Sequence, residues 1–137
     1  MEFSASGEFR AIVYDKKIVA LSQYFDMCYF SDIQNLENIV PQKIQEFFET
    51  QLRDRVPLSN YIIDFAVSSI SGDPENWKIY VIELNPYNAN TDPCLFSWSR
   101  DKDLLTKGPF EYRFLKAPLP QLSLRVLSVW KEYVTSE

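Results

Sequence analysis

Two pairs of strand-like runs most strongly constrain how this chain can fold. Residues 8–14 and 18–25 are rich in β-branched and aromatic side chains, and the polar residues 15–17 separate them. Residues 61–68 and 77–87 form a second pair, separated by the turn-forming sequence SISGDPEN. Paired runs of this composition with polar breaks are typical of antiparallel β-hairpins. The sequence therefore predicts two hairpins.

An amphipathic helix is predicted between the two hairpins. From Pro41 to Val56, apolar residues recur at three- and four-residue spacing, which gives a helix one apolar face. Pro41 suits the first helical turn and Pro57 ends the helix.

The rest of the chain adds a short strand and a second helix. Residues 112–115 predict an edge strand, and the charged residues 100–107 are expected to be exposed. A closing helix is predicted after Pro120, with this apolar face: Leu122, Val126, Val129, Trp130 and Val134. The predicted order is ββαββ, a short β, then α. This order indicates an α+β fold, a mostly antiparallel sheet with helices on one face, in a single domain over residues 1–137.

Composition excludes several kinds of chemistry. The chain has no histidine, which removes serine-type triads and histidine zinc sites. Its three glycines cannot form a glycine-rich phosphate loop. A net charge of -5 argues against a nucleic-acid binder, and no apolar run is long enough to span a membrane. Two distant cysteines suggest neither a disulfide framework nor a zinc site, so the expected compartment is the cytoplasm.

The end of the fourth predicted strand has an acidic and an amide side chain two residues apart. Alternation places Trp77, Ile79, Val81, Glu83 and Asn85 on one face, which is apolar until Glu83. A carboxylate and a carboxamide at a strand end are a pair of oxygen ligands. We interpret them as half of a magnesium–nucleotide site.

Asp64 is the one charge in the apolar third strand, and it is expected near Glu83. Counted from a turn centre near Asp73, Asp64 lies nine residues before and Glu83 ten after, so the two are approximate cross-strand neighbours. A cation between two carboxylates offsets their repulsion. Arg10, on the first predicted strand, would offer a forked cation to phosphates.

Each of these residues also has a structural explanation. Asp64 alone fits a hydrogen-bonded structural acid or an exposed one. Arg10 alone fits a pair with Glu8 or with a surface acid, and Glu83 with Asn85 alone fits a strand that ends in an Asn–Pro turn. Gln23 is expected to be exposed or to point into the same cleft, and Asp92 to cap or turn its loop instead of binding anything.

The motifs GEFR, IVYDKKIVALSQYF, a lone strand Asp and VIELNPYNANTDPCLFSW resemble the C-terminal half of ATP-grasp proteins. Within that superfamily they are most similar to the branch containing the cell-division-cycle assembly factor of translation initiation factor two. The resemblance spans about residues 7–98. Two features depart from the branch pattern, which usually has Asp in place of Glu83 and a shorter turn after Asp64.

The resemblance implies that ATP and Mg²⁺ are bound. Arg10 would contact the phosphates, and Asp64, Glu83 and Asn85 would hold the metal. It also implies that the N-terminal half that grips the nucleotide is absent. The chain would then be a fragment, be completed by another chain, or have weakened nucleotide binding.

Three functions remain open from the sequence. The first is an Mg-ATP-binding domain, either of an assembly chaperone with a translation-factor subunit as partner or of a carboxylate–amine ligase. The second is a non-enzymatic protein-interaction module that keeps the ATP-grasp sheet as scaffold. The third is a small domain whose acids are structural.

Overall fold

A computed structural model describes residues 3–119 of the chain. The elements are β1 (Glu8–Tyr14), β2 (Lys17–Gln23), α1 (Val40–Phe47), β3 (Tyr61–Ser68), β4 (Lys78–Pro86), α2 (Leu104–Lys107) and β5 (Glu111–Arg113). One π-helical turn, Phe48–Leu52, continues α1 directly. The predicted closing helix lies outside the described residues. No helix among residues 3–119 has the length and apolar character needed to cross a membrane.

The five strands form one mixed sheet in the order β4-β3-β1-β2-β5. The pairs β1–β2, β1–β3 and β3–β4 are antiparallel, while β5 runs parallel to β2. The predicted α+β class and mostly antiparallel sheet are therefore confirmed. The edge strand near residue 112 is also confirmed, although its parallel direction was not predicted.

The first hairpin has the tight turn that its polar break indicates. Asp15 and Lys16 have φ values of 52° and 60°, and Tyr14 and Lys17 are paired across the turn. Positive φ at both central residues is the requirement of a type I′ turn, whose twist matches that of the flanking strands. The turn sets the pairing of Val13 with Ile18, and one extra residue, Val19, shifts the register before Ile12 pairs with Ala20.

The sheet has apolar side chains on both faces. On the face that α1 covers, here called the α1 face, Phe9, Phe65, Ile44 and Phe48 are fully buried. On the opposite face, here called the site face, a second cluster packs against the sheet. Its buried members are Ile12, Val19, Ala20, Ile62, Phe96 and Leu105.

The helices do not all lie on one face, so that part of the prediction was wrong. Leu105 of α2 is 1% exposed and packs on the site face, opposite α1. Residues 100–107 were expected to be exposed, but this segment places Leu105 in the core and Asp101 against Arg113 at 2.9 Å. One short apolar turn among charged residues is enough to cover that end of the sheet.

Candidate functional site

A row of polar side chains crosses all five strands on the site face. Glu83 is the Cα partner of Asp64, Asp64 of Arg10, Arg10 of Ser22, and Ser22 of Arg113. Residues directly opposite one another in a sheet point to the same side, so these five side chains share a face. The residues immediately beyond this row, Ile12 and Ile62, belong to the buried apolar cluster.

Arg10 and Asp64 form a buried, doubly hydrogen-bonded ion pair at the centre of this row. Nε and Nη2 of Arg10 donate to the two Asp64 carboxylate oxygens at 2.8 and 2.9 Å. Arg10 is 8% exposed and Asp64 3%. The hydrogen bond to Asp64 raises the pKa of Arg10 further above its ordinary value. This pairing differs from the alternative that Arg10 pairs with Glu8 or a surface acid.

Glu83 reaches the site face only because β4 contains a β-bulge. Phe65 pairs with Val81 and Asp64 pairs with Glu83, so Ile82 is the extra residue on β4. One extra residue reverses the alternation of side chains beyond it. The prediction that Trp77, Ile79 and Val81 share a face with Glu83 was therefore wrong.

The bulge explains the unequal count from the turn, nine residues to Asp64 and ten to Glu83. The structure therefore brings Asp64 and Glu83 together as cross-strand neighbours, as predicted. Asn85 lies one row further along and pairs with Ile62.

The Glu83 end of the row is open, unlike its centre. Glu83 is exposed and Asn85 half-buried. Within residues 3–119, Nδ2 of Asn85 is buried and has no hydrogen-bond partner. Asp64, Glu83 and Ile82 line a small cavity of about 80 Å³ together with Glu8, Phe9, Tyr24 and Phe65. Functional pockets for whole ligands usually have about 300–1,000 Å³, so this cavity fits a water molecule or a cation, not a nucleotide.

Two acids beside the row have raised pKa values. Burial, and secondly the charge of Asp64, raise the pKa of Glu8 above its ordinary value of 4.5. Burial, and secondly the charge of Asp92, raise the pKa of Asp26 above 3.8. Burial is the larger cause of both shifts, and a neighbouring carboxylate is the smaller one.

The loop that follows β4 folds back over Arg10. The third donating nitrogen of Arg10, Nη1, donates to the backbone carbonyl of Asp92 at 2.9 Å. The Asp92 carboxylate accepts from the Cys94 backbone N–H at 2.8 Å, which is the loop-turning role considered for Asp92. The guanidinium carbon of Arg10 lies 5.0 Å from the centre of the Tyr24 ring. The guanidinium is thus enclosed by Asp64, the loop and an aromatic ring.

Gln23 is neither exposed nor in the cleft. It is fully buried, and its amide donates to the Phe25 and Cys28 carbonyls and accepts from the Leu115 N–H. It pairs with Phe9, which belongs to the α1 face. Gln23 therefore holds two segments against the end of the sheet, residues 25–28 after β2 and the backbone at Leu115 after β5.

Sequence reasoning missed three members of this arrangement. Ser22 accepts from the Leu95 backbone N–H at 3.2 Å, and Tyr24 stacks on Arg10. Arg113 binds Asp101 through two nitrogens and lies 4.2 Å from the Phe96 ring centre. The spacing of Ser22 and Tyr24 in the second strand was a usable signal, because alternation puts both on one face. No local sequence pattern indicates that β5 pairs in parallel with β2, which is the pairing that places Arg113 in the row.

The protein has an α+β fold with a mixed five-stranded sheet, and one continuous polar row crosses the site face of that sheet. A family model described as D123 matches residues 1–126, and the chain belongs to the D123 family. Cell division cycle protein 123 of Phaeosphaeria nodorum is 36% identical over 93 residues, which cover 68% of this chain and 23% of that protein. A protein called translation initiation factor eIF2 assembly protein, from Vanderwaltozyma polyspora, is 32% identical over 119 residues, which cover 80% of this chain and 30% of the relative. The chain thus spans less than a third of the length of these relatives.

Solved structures show the same fold. The structure of Cdc123 from Schizosaccharomyces pombe matches with a TM-score of 0.68 at 23% identity, over 83% of this chain and 42% of that one. A C-terminally truncated form of the same protein gives a TM-score of 0.69 at 23% identity, over 84% of this chain and 42% of that one. The sheet described above is therefore the fold found in part of the Cdc123 structure.

Proposed function

We propose that this chain acts in the assembly of the translation initiation factor eIF2 and contributes an Mg-ATP site to that task. Membership in the D123 family and the eIF2 assembly proteins among its relatives support the first part. The polar row on the site face supports the second part. A client subunit of eIF2 would be the protein partner, and ATP with Mg²⁺ the small-molecule ligand.

The single observation that most supports the nucleotide site is the alignment of Glu83 with Asp64. The bulge at Ile82 places the two carboxylates directly opposite each other, beside a cavity of about 80 Å³. Arg10 compensates the charge of Asp64, whereas Glu83 has no ion-pair partner among residues 3–119. Glu83 lies exposed on the edge strand β4, so a cation bound beside it would face both solvent and the Asp64 carboxylate.

The residues present fit a magnesium ion. Mg²⁺ prefers hard oxygen ligands and usually takes one or two carboxylates, leaving positions for water and phosphate oxygens. Glu83 and the Asn85 amide oxygen would hold the ion with one Asp64 oxygen, which keeps a lone pair after accepting from Arg10. Among residues 3–119 no three Asp, Glu, Cys or His side chains are grouped to hold a metal, so the proposed ion would depend on two carboxylates and the Asn85 amide oxygen.

The nitrogen of the Asn85 amide has no competing partner among the described residues. No hydrogen bond at Nδ2 fixes the orientation of the Asn85 amide, so Asn85 can present its amide oxygen to an ion. Bound Mg²⁺ would neutralise phosphate charge. This chain's residues would orient the phosphates over the site face and leave the remainder of the nucleotide to be held elsewhere.

An ATP-grasp relationship is part of the same proposal. It rests on the GEFR strand and on the Glu-Leu-Asn-Pro strand end, whose residues Arg10, Glu83 and Asn85 lie on the site face. A carboxylate–amine ligase would use the same site, but it would also need groups that bind an acceptor. We therefore favour the assembly role.

Calorimetric titration of ATP into the chain, with and without Mg²⁺, tests the nucleotide site. We expect binding that depends on Mg²⁺ and is weakened at least about tenfold in Glu83→Gln, because even residues behind metal ligands contribute that much. Glu75→Gln is a matched control, because Glu75 is an exposed acid on the β3–β4 connection. Equal binding by the wild type, Glu83→Gln and Glu75→Gln would contradict the site.

The assembly role is tested with purified eIF2 subunits. We expect one subunit to bind this chain, and the affinity to change when Mg-ATP is added. Failure of every subunit to bind the chain, or the full-length protein containing it, would contradict an assembly function.

A second candidate is an interaction module that does not use nucleotide, and the outer edge of the sheet favours it. Val81, Ile82 and Leu84 of β4 are 41%, 51% and 45% exposed. Exposed apolar edge strands are common contact surfaces. If this function is correct, Val81→Thr/Leu84→Thr abolishes binding of the eIF2 subunit while Glu83→Gln binds as the wild type does.

A further inference from the structure

We infer that Arg10 is a positioning residue that fixes the loop after β4 relative to Asp64, and that it does not bind phosphate. The loop consists of residues 87–98. Its position decides what lies above the site face, next to Glu83 and Asn85. The inference rests on the proposed Mg-ATP site for its functional consequence, but its structural part stands on contacts alone.

The guanidinium of Arg10 is already committed to protein atoms. Nε and Nη2 bind both oxygens of Asp64, and Nη1 binds the Asp92 carbonyl, at distances of 2.8 to 2.9 Å. A guanidinium recognises a phosphate through the same planar fork of two N–H groups. Because Asp64 occupies that fork and only 8% of Arg10 is exposed, a phosphate would first have to displace a buried carboxylate.

Displacement of Asp64 from Arg10 is unfavourable on physical grounds. It would leave a buried carboxylate without its cation, beside Glu83 and near Glu8. Removing the partner of one ion in a buried ion pair costs more free energy than an exposed ion pair contributes. The contacts of Arg10 therefore belong to the resting arrangement of the site.

The other end of the contact is a loop that is anchored at several points. Leu95 N–H donates to Ser22, Cys94 Sγ lies 3.5 Å from the Tyr24 carbonyl, and Trp98 Nε1 donates to the Thr91 carbonyl. Thr91 Oγ1 in turn donates to the carbonyl of Pro86, the last residue of β4. Among these bonds, those of Arg10 join the loop directly to a proposed metal ligand.

The consequence is a link between the position of the loop and the proposed metal site. Arg10 binds both oxygens of Asp64 and the Asp92 carbonyl at the same time, so a change in one contact affects the other. Lysine has one nitrogen in place of the fork, so Arg10→Lys keeps the charge but cannot reproduce all three bonds. That difference allows charge and positioning to be separated.

Hydrogen exchange of residues 87–95 tests the structural part. We expect Arg10→Lys to exchange faster there by at least about tenfold, while Arg53→Lys, an arginine paired with Glu49 on the exposed side of the helix, leaves exchange unchanged. Unchanged exchange in a folded Arg10→Lys protein would overturn the inference. If Arg10→Lys does not fold, Arg10→Gln/Asp64→Asn, which buries no unpaired charge, is measured in its place with the same two outcomes.

A Mg²⁺ titration in the presence of ATP tests the functional part. Arg10→Lys should raise the Mg²⁺ concentration needed for half-maximal ATP binding, because Arg10 positions the proposed ligand Asp64, and saturating Mg²⁺ should restore the ATP affinity. A loss of ATP affinity that persists at saturating Mg²⁺ would show direct phosphate contact and overturn the inference. Absence of nucleotide binding by the wild type would refute the proposed function instead, and the exchange result alone would then decide the role of Arg10.

Discussion

Two neighbouring pairs of polar residues in one sheet have opposite surroundings. Arg10 and Asp64, on the central strands β1 and β3, are buried and satisfied by protein atoms. Glu83 and Asn85, on the edge strand β4, are more exposed, and the Asn85 nitrogen has no partner among residues 3–119. The two pairs are only one strand apart.

The difference separates what holds the site from what it offers to a ligand. Removing one member of a buried ion pair lowers the stability of the folded state strongly, because it leaves the other charge buried and unpaired. An exposed carboxylate contributes little to folding and stays available for binding. The inner pair therefore serves as support, and the outer pair provides the open ligands.

The largest expected effect is on the inner pair. Asp64→Ala leaves the Arg10 charge buried and unpaired, so we expect the free energy of unfolding to fall by about 3–5 kcal/mol. Glu83→Ala should change it by less than about 0.5 kcal/mol. Urea unfolding of both variants measures the difference. Similar losses in both would show that the two pairs are not distinct.

A smaller effect is expected where the loop meets the inner row. Ser22→Ala removes the acceptor of the Leu95 N–H, and the loss of one such bond costs about 1 kcal/mol. Thermal unfolding measures the change, with Ser99→Ala as control, because Ser99 lies in an exposed part of the same segment. Equal stability of Ser22→Ala and wild type would mean that the loop is held by its other contacts.

The smallest effect is on the pH dependence of stability. Burial and the Asp64 charge raise the pKa of Glu8 above 4.5 in the folded state, so folded Glu8 holds its proton more tightly than unfolded Glu8. Its stabilising contribution is full below pH 4.5 and is lost as the pH rises through the raised pKa. Glu8→Gln should therefore be more stable than wild type at pH 7, by about 0.5 kcal/mol, and lose that advantage at pH 4.

Asp101 provides a control of opposite sign for that measurement. The hydrogen bond from Arg113 lowers its pKa below 3.8. Its contribution is present above pH 3.8 and is lost as the pH falls through the lowered pKa. Asp101→Asn should therefore be less stable than wild type at pH 7, and the difference should shrink in acid. The same sign for both variants would contradict the assigned environments.

Much of the fold was predictable because its signals are local. The strands at residues 8–14 and 61–68 and the helix after Pro41 follow from side-chain periodicity within single segments. The single helical turn at Leu104 was missed because four residues are too few to show a helical period. The parallel direction of β5 depends on a pairing with β2, about ninety residues earlier in the sequence, which no local pattern encodes.

The sequence singled out four side chains that the structure places on one face, Arg10, Asp64, Glu83 and Asn85, but it did not predict their contacts. The Arg10–Asp64 pair depends on the register of β1 against β3 across 54 residues. Strict alternation also failed at Ile82, where the bulge moves Glu83 to the other face.

The most direct test of the two-pair account is thermal unfolding of wild type and Glu83→Gln, each with and without Mg-ATP. A ligand at about 100 times its Kd stabilises the folded state by about 2.7 kcal/mol, which raises the unfolding temperature. The account predicts equal unfolding temperatures without ligand, and a rise with Mg-ATP in the wild type that Glu83→Gln loses. A Glu83→Gln protein that is already destabilised without ligand, or that keeps the full rise with Mg-ATP, would contradict it.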